Sequence, residues 1–206
     1  MSAIHAAVLI LQAVSGALVG AVLFYLLGSL LVRHWIRIDA YQLALFMTVA
    51  FLVAIVCEVC LGRLYYLFSG EPLWQYRVWP IHGGYTSALN FIVWPVYGYY
   101  LYFLHQVLRL RRIAIRPRWL QGIVAGFDGP VLEILANGFF LLCYGTFYFY
   151  YLPGDLRHYT SLRVIPLYMI MGIILNLLLE YLRRQPPRWH YPAGCYLAGV
   201  CFVLAG

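Results

Sequence analysis

Lysine is absent from this sequence, and charge of either sign is scarce. All fourteen basic residues are arginine, only seven residues are acidic, and charged residues make up 10% of the 206. A soluble domain carries about a quarter charged residues because its surface must face water, so that class is excluded. The missing lysine fits a GC-rich genome and carries no functional reading. The strand alternation of an outer-membrane barrel is also missing, which leaves helices as the only spanning structure. No phosphate loop, His-Glu-x-x-His, Ser-His-Asp order or paired-carboxylate metal motif occurs, and nothing in the sequence identifies an enzyme. The five cysteines (Cys57, Cys60, Cys143, Cys195 and Cys201) all lie inside apolar runs. They read as small hydrophobes rather than a disulfide framework or metal set. No cofactor is expected.

What the chain has is apolar length. Hydrophobic residues make up 64%, and a bilayer core needs about 20 of them per helical span. Hydropathy predicts six spans, at 3–32, 40–68, 85–108, 120–151, 164–182 and 192–206. The last is short and reads as a tilted helix or a half-span. The first follows no basic segment and is too long for a signal peptide's apolar stretch, so it reads as a transmembrane helix.

The connectors set an orientation. Arg33, Arg37, Arg109, Arg111, Arg112, Arg116, Arg118, Arg183, Arg184 and Arg188 follow the odd-numbered spans, whereas Arg77, Arg157 and Arg163 lie in the opposite connectors. The positive-inside rule places the larger group in the cytoplasm and the N-terminus outside. The same placement explains the net charge of +7 without nucleic acid. Trp35, Trp74, Trp79, Trp119 and Trp189 fall near span ends, as an aromatic belt requires.

Two segments resemble each other. Glu58 is followed by Tyr85-Thr86-Ser87, then Pro95 and Tyr97, with arginines from Arg109. Glu133 is followed, at a spacing that differs by a single position, by Tyr159-Thr160-Ser161, then Pro166 and Tyr168, with Arg183 beyond. The shared order predicts a duplicated helix hairpin, related by an axis along the membrane normal. The expected fold is all-α: a single transmembrane domain, 1–206, of about six helices. Its repeat halves are about 41–112 and 120–184, flanked by helices 3–32 and 192–206.

An intramembrane carboxylate costs about 2.5–3.5 kcal/mol on insertion scales, so Glu58 and Glu133 should face protein or water. Each reads either as a site residue or as a tie between helices, in the case of Glu58 to Arg63 or to the Tyr85–Ser87 turn. Asn137 shares a helix face with Glu133, one turn away. Asp128-Gly129-Pro130 reads as the capped start of the fourth helix, or as a break within it. His82 and His158 read as loop hydrogen-bonding groups, and His5 and His105 are assigned nothing. Glu180 suits a local ion pair with Arg183 or Arg184. The aromatic blocks 97–103 and 144–151 read as interfacial belts or as the walls of an apolar cavity.

The intramembrane glutamate, Gly84 to Ser87, Phe91, Pro95-Val96-Tyr97-Gly98 and Val131-Leu132-Glu133 together resemble a family of small polytopic proteins. That family is labelled a type IV ABC-transporter membrane protein, and the resemblance covers roughly residues 45–182. The family often carries Trp-Asp-Tyr in the second outer connector, where this chain has Pro153-Gly154-Asp155 and Tyr159. The resemblance implies a polytopic membrane protein and no defined activity.

The expected function is a transporter-like membrane protein with an intramembrane polar pocket for a lipid or other small apolar molecule. Glu58, Glu133, Asn137, Tyr85, Ser87 and Tyr97 are the candidate ligand-binding residues, and no metal site is expected. Two alternatives stand beside it: an accessory subunit of a larger membrane complex, and an intramembrane isoprenoid-lipid enzyme. The expected partners are membrane lipids, a small apolar ligand, and a membrane-protein partner or second copy. The expected location is a prokaryotic inner membrane.

Overall fold

The computed structural model of the chain describes residues 3–113 and 117–205, and within them the side chains of all but residues 3–6, 9, 118 and 119. Arg116 and the side chains of His5, Arg118 and Trp119 therefore lie outside the described residues, with the expectations placed on them.

The described residues form six α-helices: α1 (Ala3–Val32), α2 (Ala40–Ser69), α3 (Asn90–Leu110), α4 (Arg118–Tyr144), α5 (Ile165–Arg183) and α6 (His190–Leu204). Four segments are long and apolar enough to cross a membrane: Ile10–Val32, Ala40–Ser69, Leu120–Tyr144 and Leu162–Arg183. Large apolar side chains stand exposed along them, among them Leu18, Leu30, Phe68, Leu135 and Leu142. Such a surface suits lipid rather than water, and it fits an integral membrane protein. α3 is 21 residues long but rich in tyrosine, and α6 has only 15 residues.

Local chemistry sets the helix ends. Asp39 caps α2 by accepting from the Gln42 N–H at 3.0 Å, and Gly70, at φ 77°, closes its other end. α2 is the hub, packing on α3, α5 and α6; α1 lies against α3, and α4 pairs with α5. Small residues permit the close crossings. A Cβ on Gly98 of α3 would lie 2.5 Å from the Met47 Cα and the Phe46 carbonyl of α2. A Cβ on Gly172 of α5 would lie 2.2 Å from the Ala125 Cβ of α4. Close approach of small residues gives the packing that holds helices together where both faces meet apolar solvent. α3 and α4 do not pack closely; Tyr100 reaches across to donate to Asp128 at 2.6 Å.

The connectors after α2 and α4 hold short strands: β1 (Trp74–Tyr76), β2 (Pro80–Ile81), β3 (Thr86–Ser87) and β4 (Phe149–Tyr151). β2 and β3 form a hairpin, pairing Pro80 with Ser87 and Ile81 with Thr86. β1 and β4 pair antiparallel, setting Trp74 against Tyr151 and Tyr76 against Phe149. The two connectors thus join into one aromatic cap across this end of the bundle.

These strands correct the expected spans. The third helix begins at Asn90 rather than residue 85, because Thr86 and Ser87 are taken up by the hairpin. The fourth ends at Tyr144 rather than residue 151: Gly145, at φ 67°, terminates it, and the aromatic run beyond favours the pleated pairing with β1. Asp128-Gly129-Pro130 is neither a helix start nor a break. α4 runs through it unbroken from Arg118, held against α5 by Gly126 and Gly129, whose missing side chains make room for Met169 and the Tyr168 ring.

Candidate functional site

Glu58 projects from the middle of α2 and meets the connector that follows it. The Tyr76 hydroxyl donates to Oε1, the Thr86 hydroxyl to Oε2 at 2.6 Å, and the Asn90 amide also to Oε2 at 3.0 Å. Asn90 donates to Thr86 as well, at 2.9 Å, and accepts from Tyr148 at 2.8 Å. Since Tyr148 belongs to the other connector, this network ties the two halves together. The tie goes to Thr86 of the 85–87 turn; among the described residues Arg63 makes no bond to Glu58.

Glu133 of α4 is met in the same manner. Tyr151 donates to Oε1 at 2.6 Å and Tyr168 to the same oxygen at 2.8 Å, while Thr160 donates to Oε2 at 2.5 Å. Each tyrosine from a connector lies 18 residues after its glutamate, and each threonine 28 or 27 residues after it. Burial, with the adjoining carboxylate, holds the Tyr76 and Tyr151 hydroxyls well above the ordinary phenol range. They remain protonated donors. Among the described residues neither carboxylate meets a cation.

Both glutamates line a single cavity of about 30 Å³, walled by Tyr76, Trp94, Tyr151 and Tyr168. That volume holds about one water and excludes anything lipid-sized. The Trp94 indole N–H is buried at its wall, approaching Glu58 without closing a hydrogen bond. An unmet buried donor beside two carboxylates suits a small polar group or a water.

Two larger spaces adjoin. One, of about 460 Å³, lies between α1, α3 and α4, with Gly20, Phe24, Val96 and Ala136 on its apolar walls and Glu133, Asn90 and Tyr97 at its polar edge. The other, of about 590 Å³, opens between α2, α3, α4 and α5 toward the arginine-bearing helix ends. Tyr97 lines both.

No protein-family model, curated protein or solved structure matches this chain.

The candidate residues therefore divide. Glu58 and Glu133 share one cavity, and Tyr97 stands between the two larger ones. Asn137, Tyr85 and Ser87 line none of these three. Asn137 is buried and clips the end of α4 to its connector, donating to the Tyr159 carbonyl at 2.9 Å and accepting from the Tyr148 N–H at 3.2 Å. Ser87 donates to the Val78 carbonyl at 2.6 Å and accepts from the Leu89 N–H. The Tyr85 ring fills the space left by Gly62, and its carbonyl takes the Trp74 indole N–H at 2.8 Å. Sequence reasoning passed over Tyr76, Asn90 and Trp94, and took in Tyr148 and Tyr151 only as part of the aromatic block 144–151. The equal offset of Tyr76 from Glu58 and of Tyr151 from Glu133 was the available sign.

The other polar residues have local partners. The His82 ring stacks on Phe202 and bonds its carbonyl at 2.8 Å, pinning α6. His158 stacks on Tyr150 and bonds the Tyr151 carbonyl at 2.7 Å. Glu180 pairs with Arg184, one turn away. Cys57 is buried and Cys60 exposed on the same helix.

Proposed function

We propose that the chain is an integral membrane protein that binds a lipid or other small apolar molecule, in a transporter-like manner. The apolar body of the ligand occupies the space between α1, α3 and α4, and its polar group reaches Glu133 and the small cavity shared with Glu58. The observation that carries this reading is the wall that the two spaces share. Tyr76, Trp94, Glu133, Phe149 and Tyr168 line both. A volume of about 460 Å³, mostly apolar with a few convergent polar groups, is the usual form of a small-molecule site.

The reading includes six membrane helices and a duplicated hairpin. The matching donors to the two glutamates support the duplication, as do Gly98 and Gly172, which follow the glutamate-binding Thr86 and Thr160 at the same offset. Kinship with the type IV ABC-transporter membrane family, the inner-membrane location and the cytoplasmic placement of the arginine-rich ends belong to the same proposal.

The test is mass spectrometry of small molecules that co-purify with the protein in a non-ionic detergent. Wild type should retain a defined apolar species at a near-stoichiometric level. Ala136→Trp, which fills the cavity, should lose it, and Glu133→Gln should lower it about tenfold, the effect of one lost interaction of about 1.4 kcal/mol. Equal retention by wild type and a folded Ala136→Trp variant would sink the proposal. A stable complex with a second protein in place of the ligand would favour the accessory-subunit reading.

A further inference from the structure

The larger of the two adjoining spaces is not the one that reaches Glu133. It is the 590 Å³ cavity between α2, α3, α4 and α5, and Arg109, Arg183 and Arg184 line it together with His105. Arg109 and Arg183 end α3 and α5 and lie within electrostatic reach of each other, and His105 lies within reach of both. The facing acidic groups are engaged elsewhere: Glu180 with Arg184, and Asp128, at the inner end, with Tyr100. Arg183 also rests over the Phe46 ring, 5.8 Å from its centroid. Arg109 and Arg183 thus bring two like charges to one space.

Their positions are equivalent. Arg109 follows Thr86 at the same offset as Arg183 follows Thr160. Two guanidinium groups presented across a cleft suit an oxyanion with enough oxygens to meet both, and each guanidinium binds phosphate as a bidentate fork. Deeper in, Leu101, Leu104, Leu175 and Leu179 provide an apolar lining. The space is therefore amphipathic, cationic at its mouth and oily within.

We propose that this cavity binds a phosphate ester through Arg109 and Arg183, with His105 beside them, separately from the glutamate pocket. The phosphate belongs either to a phospholipid headgroup, whose chain enters along the leucines, or to a free phosphorylated molecule.

Thermal unfolding of the full chain in an uncharged detergent, followed by tryptophan fluorescence, separates these sources. The titrants are dioctanoyl phosphatidylglycerol, glycerol 3-phosphate and inorganic phosphate, with chloride at matched ionic strength as the control. A saturable rise in Tm with the short-chain lipid alone assigns a phospholipid. A comparable saturable rise with glycerol 3-phosphate or phosphate assigns a free ester. In either case Arg109→Gln/Arg183→Gln should abolish the response, whereas Arg37→Gln and Arg188→Gln, at exposed positions outside the cavity, should keep it. Should the double variant fail to fold, Arg109→Lys and Arg183→Lys keep the charge and lose the fork. Each should then raise the half-saturating concentration about tenfold. No saturable response in wild type, or one unchanged in the arginine variants, overturns the proposal.

Discussion

Glu133 receives two tyrosine hydroxyls on one oxygen and a threonine hydroxyl on the other, so the consequences of changing it follow from donor and acceptor accounting. In Glu133→Gln the amide oxygen can still accept from Tyr151 and Tyr168, and the Thr160 hydroxyl can turn to accept from the new NH₂. The variant should fold, with a loss below about 2 kcal/mol. Glu133→Ala strands three buried hydroxyls and should cost more than about 3 kcal/mol, because each unmet polar group carries its desolvation penalty. Denaturant unfolding in detergent distinguishes the two; similar losses would show that the carboxylate does not organise its neighbours. Tyr76→Phe and Tyr151→Phe each remove one donor and should each cost about 1–3 kcal/mol. Tyr65→Phe, whose hydroxyl meets only the exposed Arg163, should cost under about 0.5 kcal/mol. At this scale the sequence exposed the acceptors more readily than the donors. A carboxylate in an apolar run stands out by its cost, whereas Tyr76 and Tyr151 sit among 19 tyrosines, and nothing local marks which of them turns inward.

The helices obey a different logic, that of backbone approach. Gly98 and Gly172 seat α3 on α2 and α5 on α4, where an added Cβ would meet main-chain atoms or another Cβ at 2.2–2.5 Å. Gly98→Ala and Gly172→Ala should therefore each destabilise the fold by about 1–3 kcal/mol, the usual range for overpacking. Gly138 of α4 has open space where its Cβ would stand, and Gly138→Ala should be neutral or stabilising by up to about 1 kcal/mol. An effect of equal size and sign at all three positions would show that close packing at Gly98 and Gly172 does not govern them. The helices were legible as apolar runs, and α1, α2, α5 and α6 begin and end close to where hydropathy places them. The ends of α3 and α4 were not, because hydropathy does not distinguish an aromatic strand from a helix end: 145–151 is apolar, yet Gly145 ends α4 there and Phe149–Tyr151 pairs with β1. Asp128-Gly129-Pro130 misled for a related reason. It carries a start signature, but two glycines facing Tyr168 and Met169 bind the segment to α5, and tertiary packing overrode the local preference.

At the scale of the whole molecule, the two ends of the bundle differ in kind. One is sealed by the paired β1 and β4, by the stacked Tyr150 and His158, and by Arg77 lying 5.0 Å over the Tyr150 ring. The other is open between α3 and α5 and carries Arg109, Arg111, Arg183, Arg184 and Arg188. A duplicated pair of hairpins inserted the same way would produce this polarity, since both connectors with tyrosine and threonine donors then fall on one side and both arginine clusters on the other. On the topology proposed above, the positive-inside rule turns this polarity into an orientation, with the sealed end outside and the open, arginine-bearing end in the cytoplasm. Site-specific labelling tests it. With the five native cysteines replaced by alanine, Arg157→Cys in the sealed end should react with a membrane-impermeant maleimide in intact cells, and Arg188→Cys only after permeabilisation. Both positions are exposed, so a failure to label reports the membrane barrier rather than burial in the fold. The reverse pattern would invert the topology and place the arginine-lined cavity toward the outside. Labelling of both positions in intact cells would exclude the spanning arrangement.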